Sequence, residues 1–335
     1  DTCGKHVEDA CSYYALYLVI TGDWEYTGIE TRDTFRADCE AGSAVGCLNL
    51  SRTLQQTSDG SQESIDEVLD LLRRSCDLNQ EVGCSEYVLT MTFVDQLEDA
   101  RQLAESGCNA DATWGCTGLG DIHQLVSNGP DGSHEDIVTA VRMYERACDA
   151  GVSTACDRLG QYYIGEGEAE QGLPYFERSC ARLSGFGCMQ LATYYSAGVG
   201  VPQSSTRYLE LLEQACQYNN GDACYSVAYE LGIGPTQSAT NARVRPLVER
   251  ACRLGSAVGC QAVGYLEELA GNYDEGAEQY AQTCGYGYIP ACIALADVHE
   301  GRRVSHPDRA LVLQTYAYLC SVGVAEYCGK TSQLP

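Results

Sequence analysis

Lysine is almost absent from this chain of 335 residues, with one copy at Lys5 and another at Lys330. The 21 basic residues are outnumbered by 47 acidic ones, which gives a formal net charge of −26. This balance disfavours binding to nucleic acid or to anionic lipid, because both need clustered positive charge. It favours either a groove that attracts a basic partner or a solvated acidic surface that keeps a long body soluble.

Long apolar runs are missing too. No stretch of 18 consecutive apolar residues occurs, so the sequence predicts no membrane span. The first residue is Asp1, with neither an initiator Met nor a charged and then apolar leader before it. We therefore expect that an export signal has been removed.

Signatures of catalysis and of cofactor binding are also missing. Neither lysine has a serine three residues before it, as the Ser-x-x-Lys motif of serine β-lactamases requires. The acidic segments 131–136 and 166–170 follow no calcium-loop pattern and are interpreted as solvated loop acids. Clustered histidines would be needed for a zinc site, but the five histidines stand singly, at His6, His123, His134, His299 and His306. We predict no catalytic residue, no metal site and no cofactor.

Cysteine, in contrast, is abundant, and its twenty copies form ten pairs with the spacing C-x7-C and none left over. Successive pairs begin 32 to 40 residues apart, which indicates a tandem array of one repeated unit over residues 1–335. Paired cysteines at this density are expected where disulfides persist. The sequence therefore predicts a secreted, cell-surface or periplasmic protein.

The segment CRLGSAVGC, residues 252–260, shows what one pair does. Apolar residues have helical spacing before it, in VRPLVERAC, and after it, in CQAVGYLEELA. Each pair therefore brackets a corner between two antiparallel helices, at a distance that a disulfide can span. We name the helix after the second cysteine helix A, and the helix before the next first cysteine helix B. The array then holds about eighteen helices and is all-α.

Pairing within each corner follows from the repeat, although spacing alone leaves other connectivities open. The expected bridges are Cys3–Cys11, Cys39–Cys47, Cys76–Cys84, Cys108–Cys116, Cys148–Cys156, Cys180–Cys188, Cys216–Cys224, Cys252–Cys260, Cys284–Cys292 and Cys320–Cys328.

Two further corner positions recur. The third residue after the first cysteine is of a type that tolerates the left-handed conformation at a helix end, in seven corners. These residues are Gly42, Asn79, Gly151, Asn219, Gly255, Gly287 and Gly323. The residue before the second cysteine is glycine or alanine in nine corners. A small residue there is expected to let the next helix start close against the previous one.

Several intervals resemble the Sel1-like repeat. Residues 191–216 carry Leu191, Tyr195, Gly198, Gly200 and Val201 at the loop signature and end in Ala215 and Cys216, and residues 159–180 repeat this pattern. The bridged C-x7-C version is similar to the Helicobacter cysteine-rich proteins, which are secreted Sel1-like solenoids with one disulfide per repeat. The resemblance covers nearly the whole chain. It is strongest over 148–328 and fades in the first four repeats.

The resemblance implies a right-handed αα-superhelix of tetratricopeptide-like Sel1 repeats. It also implies that the A helices line a concave face used to hold partners, and it implies no fixed partner. Some members of the family are described as β-lactamases or penicillin binders, so it leaves that function open as well.

Tyrosine is the main aromatic residue, with 23 copies against four phenylalanines. In the family, the tyrosine ahead of the glycine loop packs between helices, which predicts core positions for Tyr162, Tyr195 and Tyr229. Their neighbours Tyr163, Tyr194 and Tyr225 are the candidate partner-binding residues, since tyrosine supplies a large amphipathic contact area. Packing between helices is the alternative for these residues as well.

Three functions follow from these patterns. The first is a secreted, non-catalytic repeat protein that binds a protein or peptide partner through its concave face. The second is a structural subunit that associates with copies of itself into an extracellular assembly. The third, carried by the family resemblance alone, is a protein that binds or hydrolyses penicillins.

Overall fold

The computed structural model describes residues 28–57, 61–78, 81–94, 96–129, 132–233 and 242–330. Seventeen α-helices and one short 3-10 helix lie in these ranges, which contain no β-strand. The predicted corner at Cys3–Cys11 lies outside them. The predicted all-α fold of paired repeat helices is confirmed.

The helices alternate between the two predicted types. The B helices are α1 (Gly28–Glu40), α3 (Gln62–Asp77), α5 (Leu97–Asn109), α7 (His134–Asp149), α9 (Ala169–Ala181), α11 (Ser205–Gln217), α13 (Val244–Arg253), α15 (Tyr273–Gly285) and α17 (Arg309–Ser321). The A helices are α2 (Ala44–Thr57), α4 (Glu81–Phe93), α6 (Thr113–Ser127), α8 (Ser153–Gly165), α10 (Gly185–Ala197), α12 (Gly221–Glu230), α14 (Ala257–Ala270) and α16 (Ile289–Glu300). A 3-10 helix, Ala325–Tyr327, follows α17.

The chain divides into two compact units. Unit 1 comprises Asp1–Gly187 with Val199–Val201, and unit 2 comprises Cys188–Gly198 with Pro202–Pro335. That the repeats form one array over residues 1–335 stays a prediction.

Disulfides close the corners between a B helix and the A helix that follows it, and the last one joins α17 to the end of the 3-10 helix. Their Cα atoms lie 4.3 to 4.8 Å apart, within the range that a disulfide spans. The bridges are Cys39–Cys47, Cys76–Cys84, Cys108–Cys116, Cys148–Cys156, Cys216–Cys224, Cys252–Cys260, Cys284–Cys292 and Cys320–Cys328. Cys180 and Cys188 are disulfide-bonded as well.

The turn inside each corner needs a left-handed residue at the third position after the first cysteine. All of the glycines predicted for this position have positive φ, and so has Asn219 at 62°. Asn79 lies outside the described residues. Two corners use residues that the sequence pattern missed, Asp111 at 58° and Leu183 at 66°. A leucine in this conformation is strained by about 1–2 kcal/mol.

The position before the second cysteine is small because the helices approach closely there. A Cβ atom on Gly115 would lie 2.2 Å from the backbone nitrogen of Cys108, and one on Gly46 would lie 2.9 Å from that of Cys39. The expected close start of each A helix is therefore observed at these corners.

Each B helix buries the residue four positions before its first cysteine. These residues are Phe35, Leu72, Ala104, Tyr144, Phe176, Leu212, Val248, Tyr280 and Tyr316. Where this residue is aromatic, the A helix that packs against it has a small residue four positions after its own cysteine. A Cβ atom on Gly160 would lie 2.7 Å from the Phe176 ring, and one on Gly264 would lie 2.7 Å from the Tyr280 ring.

Arginines two positions before the first cysteine join successive repeats within a unit. Arg74 donates to the carbonyl of Cys39 at 2.9 Å, Arg178 to that of Cys148 at 3.2 Å, and Arg250 to that of Gln217 at 3.3 Å. The three acceptors lie in the last turns of α1, α7 and α11. Cations there satisfy orphan carbonyls and oppose the negative end of the helix dipole.

Candidate functional site

Neighbouring A helices meet at two fixed positions, the fifth residue after one cysteine and the second residue after the next. Arg52, five residues after Cys47, donates from Nε to Oε1 of Glu86 at 2.9 Å. Asp121, five residues after Cys116, accepts from Nε of Arg158 at 3.1 Å. At both places an ion pair of the chain itself joins the two A helices.

Where the second-position residue is small, a cavity remains between the neighbouring A helices. In unit 1, Gly118 replaces the charged residue opposite Leu89, and a cavity of about 290 Å³ lies there. Its wall includes Leu89, Phe93 and Leu125, and the Asp121–Arg158 ion pair also lines it. Phe93 is 71% exposed. We call this the apolar cavity.

In unit 2 the small residues are Ala262 and Ala294, and a second cavity of about 330 Å³ lies between α12, α14 and α16. We call it the tyrosine cavity. It is lined by Tyr225, Ile233, Val258, Gln261, Ala262, Tyr265, Glu268, Tyr280, Ala294, Asp297 and Arg303. Tyr229 lies beside it, with its ring centroid 6.3 Å from that of Tyr225, and is 59% exposed.

Buried tyrosines of the B helices donate hydrogen bonds from their hydroxyl groups to acidic or amide side chains on the A helices. The Tyr280 hydroxyl donates to Oε2 of Glu268 at 3.1 Å, and that of Tyr144 donates to Oδ1 of Asp121 at 2.7 Å. Burial raises the pKa of both phenols, so they stay protonated donors. Glu268 also pairs with Arg303. The floor of the tyrosine cavity is thus a fixed hydrogen-bond network.

The three predicted partner-binding tyrosines have different environments. Tyr225 is partly buried and lines the tyrosine cavity together with Tyr265. Tyr163 packs against the core of unit 1 and stacks on Tyr175, with centroids 5.6 Å apart and rings 2° from parallel. Tyr194 is half-buried, and this burial raises the pKa of its hydroxyl. That any of the three contacts a partner stays a prediction.

The predicted core position of Tyr229 is wrong, because this side chain is largely exposed. Tyr162 and Tyr195 are half-buried. The prediction aligned all three on the glycine loop, whereas the helix face is set by the distance from the cysteine. Tyr229 follows Cys224 by five residues, but Tyr162 and Tyr195 follow theirs by six and seven. Each residue turns the helix by about 100°, so only Tyr229 shares the face of Tyr265.

Counting from the cysteine would also have found residues that the sequence analysis missed. Tyr265 follows Cys260 by five residues and Asp297 follows Cys292 by five, and both line the tyrosine cavity. The recurring tyrosine four residues before a first cysteine is a second signal, because it marks the buried rings of Tyr144, Tyr280 and Tyr316.

Acidic groups of segment 131–136 have a structural role where they are described. Ser133 and Asp136 form a capping box at the start of α7. Hydrogen bonds from Ser133 and from His123 lower the pKa of the Asp136 carboxyl. Among the described residues, no group of three or more His, Cys, Asp and Glu side chains is placed to hold a metal ion. No helix in those ranges is both long and apolar enough to cross a membrane.

Comparison with solved structures defines the class of fold. The structure of c5321, a protective antigen present in uropathogenic Escherichia coli strains that displays an SLR fold, is similar with a TM-score of 0.52. At 17% identity, the match covers 90% of this chain and 66% of that one. A Sel1 repeat protein from Oxalobacter formigenes is similar with a TM-score of 0.58 and 15% identity, over 71% of this chain and 99% of that one. The chain has the fold of Sel1 repeat proteins.

No family model matches the sequence, and no curated protein matches it.

Proposed function

We propose that this chain is a non-catalytic binding module that holds a protein or peptide partner against the exposed face of its A helices. The observation that carries the proposal is the tyrosine cavity, which Tyr225 of α12 and Tyr265 of α14 line and beside which Tyr229 lies, next to Tyr225. Tyrosine rings of this kind are frequent anchors at protein interfaces, because they offer a large contact area at low entropic cost.

The apolar cavity of unit 1 supports the same function. Leu89, Phe93 and Leu125 are each more than 40% exposed and line one depression. Large apolar side chains gathered in a concave surface are typical of binding sites. The Sel1 fold agrees with this use, since repeat folds offer extended surfaces to other proteins.

The disulfides support a location in an oxidising compartment. Eighteen cysteines of the described ranges are disulfide-bonded, and a reducing cytosol would not maintain them. The partner we propose is therefore a protein or peptide of the periplasm, the cell surface or the extracellular medium.

A random-peptide phage library, selected on the immobilised disulfide-intact protein, tests the proposal. We expect enriched peptides whose affinity falls about tenfold or more for Tyr229→Ala combined with Tyr265→Ala, as is usual for interface hot spots. The matched control is Tyr286→Ala, because Tyr286 is 90% exposed and lies outside the cavity. It should leave the affinity unchanged.

Two results would contradict the proposal. One is a selection that enriches no peptide on the native protein. The other is a set of enriched peptides that bind the double variant as well as they bind the native chain, with Phe93→Ala equally without effect.

A further inference from the structure

We propose that the tyrosine cavity of unit 2 is a receptor for the guanidinium group of an arginine side chain on the partner. The inference rests on the proposed function and adds the chemistry of the group that enters the cavity. Three features support it: the walls of the cavity, one carboxylate in it, and a related carboxylate–arginine pair in unit 1.

The size of the cavity suits one side chain. Its volume of about 330 Å³ is at the lower end for small-molecule sites, which span roughly 300–1,000 Å³. The rings of Tyr225 and Tyr265 line it on the A helices. Aromatic faces attract cations, and they attract the planar guanidinium most often among protein groups.

Asp297 gives the cavity a negative charge without a close internal partner. Within the described part of the chain, its carboxylate makes no side-chain hydrogen bond and no ion pair within 4.0 Å. Desolvation at the cavity wall raises the pKa of this exposed carboxyl, and Glu300 and Glu268 act in the same direction. Lys330 and Arg303 oppose the shift. A cation from the partner would therefore stabilise the ionised form of Asp297, which has no close cationic partner in the described part of the chain.

The other charges of the cavity do not suit an anion. Arg303 lines the wall, but its guanidinium pairs with Glu268 and lies over the ring of Tyr273 at 5.7 Å. Glu268 also accepts the Tyr280 hydroxyl. With this pair neutralised, the remaining charge in the lining is that of Asp297, and an anion would meet repulsion.

Unit 1 contains a related carboxylate that is bound by an arginine of the chain. Asp121 occupies the position of Asp297, five residues after the cysteine, and binds Nε of Arg158 at 3.1 Å. A buried tyrosine, Tyr144, donates to the same oxygen. In unit 2, the residue two positions after the next cysteine is Lys330, whose Nζ pairs with Glu326 at 3.7 Å and lies over the rings of Tyr316 and Tyr327. Lys330 makes no ion pair with Asp297 within 4.0 Å, so the partner would supply the close cation that Arg158 supplies in unit 1.

The probe is a blocked peptide, acetyl-Gly-Arg-Gly-amide, titrated into the disulfide-intact protein and followed by amide chemical shifts. We expect saturable shifts at residues of α14 and α16, and none with the citrulline peptide, which has the same shape but no charge. Asp297→Asn should weaken binding about tenfold or more, as loss of a charged hydrogen-bond partner does. Glu278→Gln removes an equal charge from an exposed site outside the cavity and should have no effect.

A second variant fills the cavity from within. Ala294→Arg places a guanidinium in the cavity wall, on the same helix as Asp297 and three residues before it, and should abolish binding of the probe while the unfolding midpoint is retained. Equal shifts with the citrulline or the lysine peptide would overturn the guanidinium assignment, as would full binding to Asp297→Asn. If library-selected peptides still need Tyr229 and Tyr265 in that case, the inference fails and the proposed function stands. If the library yields no peptide, the proposed function itself fails.

Discussion

A Cβ atom on Gly120 would lie 2.6 Å from Cε1 of Tyr144. The A helix α6 therefore has no side chain at the position where the Tyr144 ring of the B helix α7 packs, and the ring fills the space between the two helices. The relation is reversed in the preceding repeat, where Val88 on α4 shares a core cluster with the small Ala104 on α5. Core size is thus set jointly by two positions, one four residues after a cysteine and the other four residues before the next.

The first prediction concerns this shared space. Gly120→Ala should lower the free energy of unfolding by about 1–3 kcal/mol, because the added methyl group overlaps the Tyr144 ring in a closely packed core. Gly165→Ala is the matched control, since a Cβ atom there meets nothing within 4 Å. It should be neutral or stabilising by up to about 1 kcal/mol. Urea unfolding with intact disulfides measures both, and equal effects would refute shared packing.

The second prediction concerns the corner at Leu183. Its backbone is left-handed, with φ of 66°, and its side chain is 64% exposed. Leu183→Gly should therefore raise the free energy of unfolding by about 1 kcal/mol, because relief of strain exceeds the entropic cost of glycine. Gly151→Ala tests the reverse change at an equivalent corner with open space around it. It should destabilise by a similar amount, and a stabilising result there would contradict the strain argument.

The third prediction separates surface tyrosines from core tyrosines. Tyr229→Ala should lower the free energy of unfolding by less than about 1 kcal/mol, as expected for an exposed side chain. Tyr280→Ala should cost about 3–5 kcal/mol, because Tyr280 is 2% exposed and its removal leaves a cavity. Thermal or urea unfolding distinguishes the two. A large loss of unfolding free energy in Tyr229→Ala would show that Tyr229 packs in the core, as its sequence context predicts.

The fourth prediction concerns the buried carboxyl of Asp157. Desolvation raises the pKa of this group above the ordinary value of 3.8. Ser184 donates to its Oδ2 at 2.7 Å, while Oδ1 accepts no hydrogen bond in the described part of the chain. A group whose pKa is higher in the native state stabilises the fold in acid, and that stability is lost as the pH rises through the native pKa. Asp157→Asn has no titrating carboxyl at this position, so it does not lose stability in this way as the pH rises.

We therefore expect Asp157→Asn to be more stable than the native chain at neutral pH. The difference in unfolding free energy should shrink as the pH falls toward 4. Glu177→Gln, at an exposed position of α9, should show no such trend. A difference for Asp157→Asn that is constant with pH would contradict a shifted carboxyl.

Sequence periodicity predicted the fold well because the cysteine spacing is a direct consequence of the corner geometry. The constant C-x7-C interval indicates the turn, and the glycines and Asn219 inside it indicate positive φ. Leu183 and Asp111 show the limit of that signal, because tertiary packing can hold other residues in the same conformation. The residue type then no longer reveals the backbone.

The candidate site was harder to predict for a physical reason. A tyrosine has the same composition signal whether its ring fills the core, as Tyr280 does, or lies on the surface, as Tyr229 does. The discriminating information is the angular position on the helix, which is read from the cysteine and not from the loop. The cavity also depends on Ala262 and Ala294. These residues lie opposite Tyr229 and Tyr265, and their small side chains leave the space free.

The most direct test of the account is a crystal structure of the disulfide-intact protein with a peptide selected from the library. We predict that the peptide lies on the A-helix face of unit 2, in contact with Tyr229 and Tyr265, and that an arginine side chain enters the tyrosine cavity toward Asp297. A peptide bound instead to the B helices or to a corner such as that of Tyr286, with the tyrosine cavity empty, would contradict the central claim.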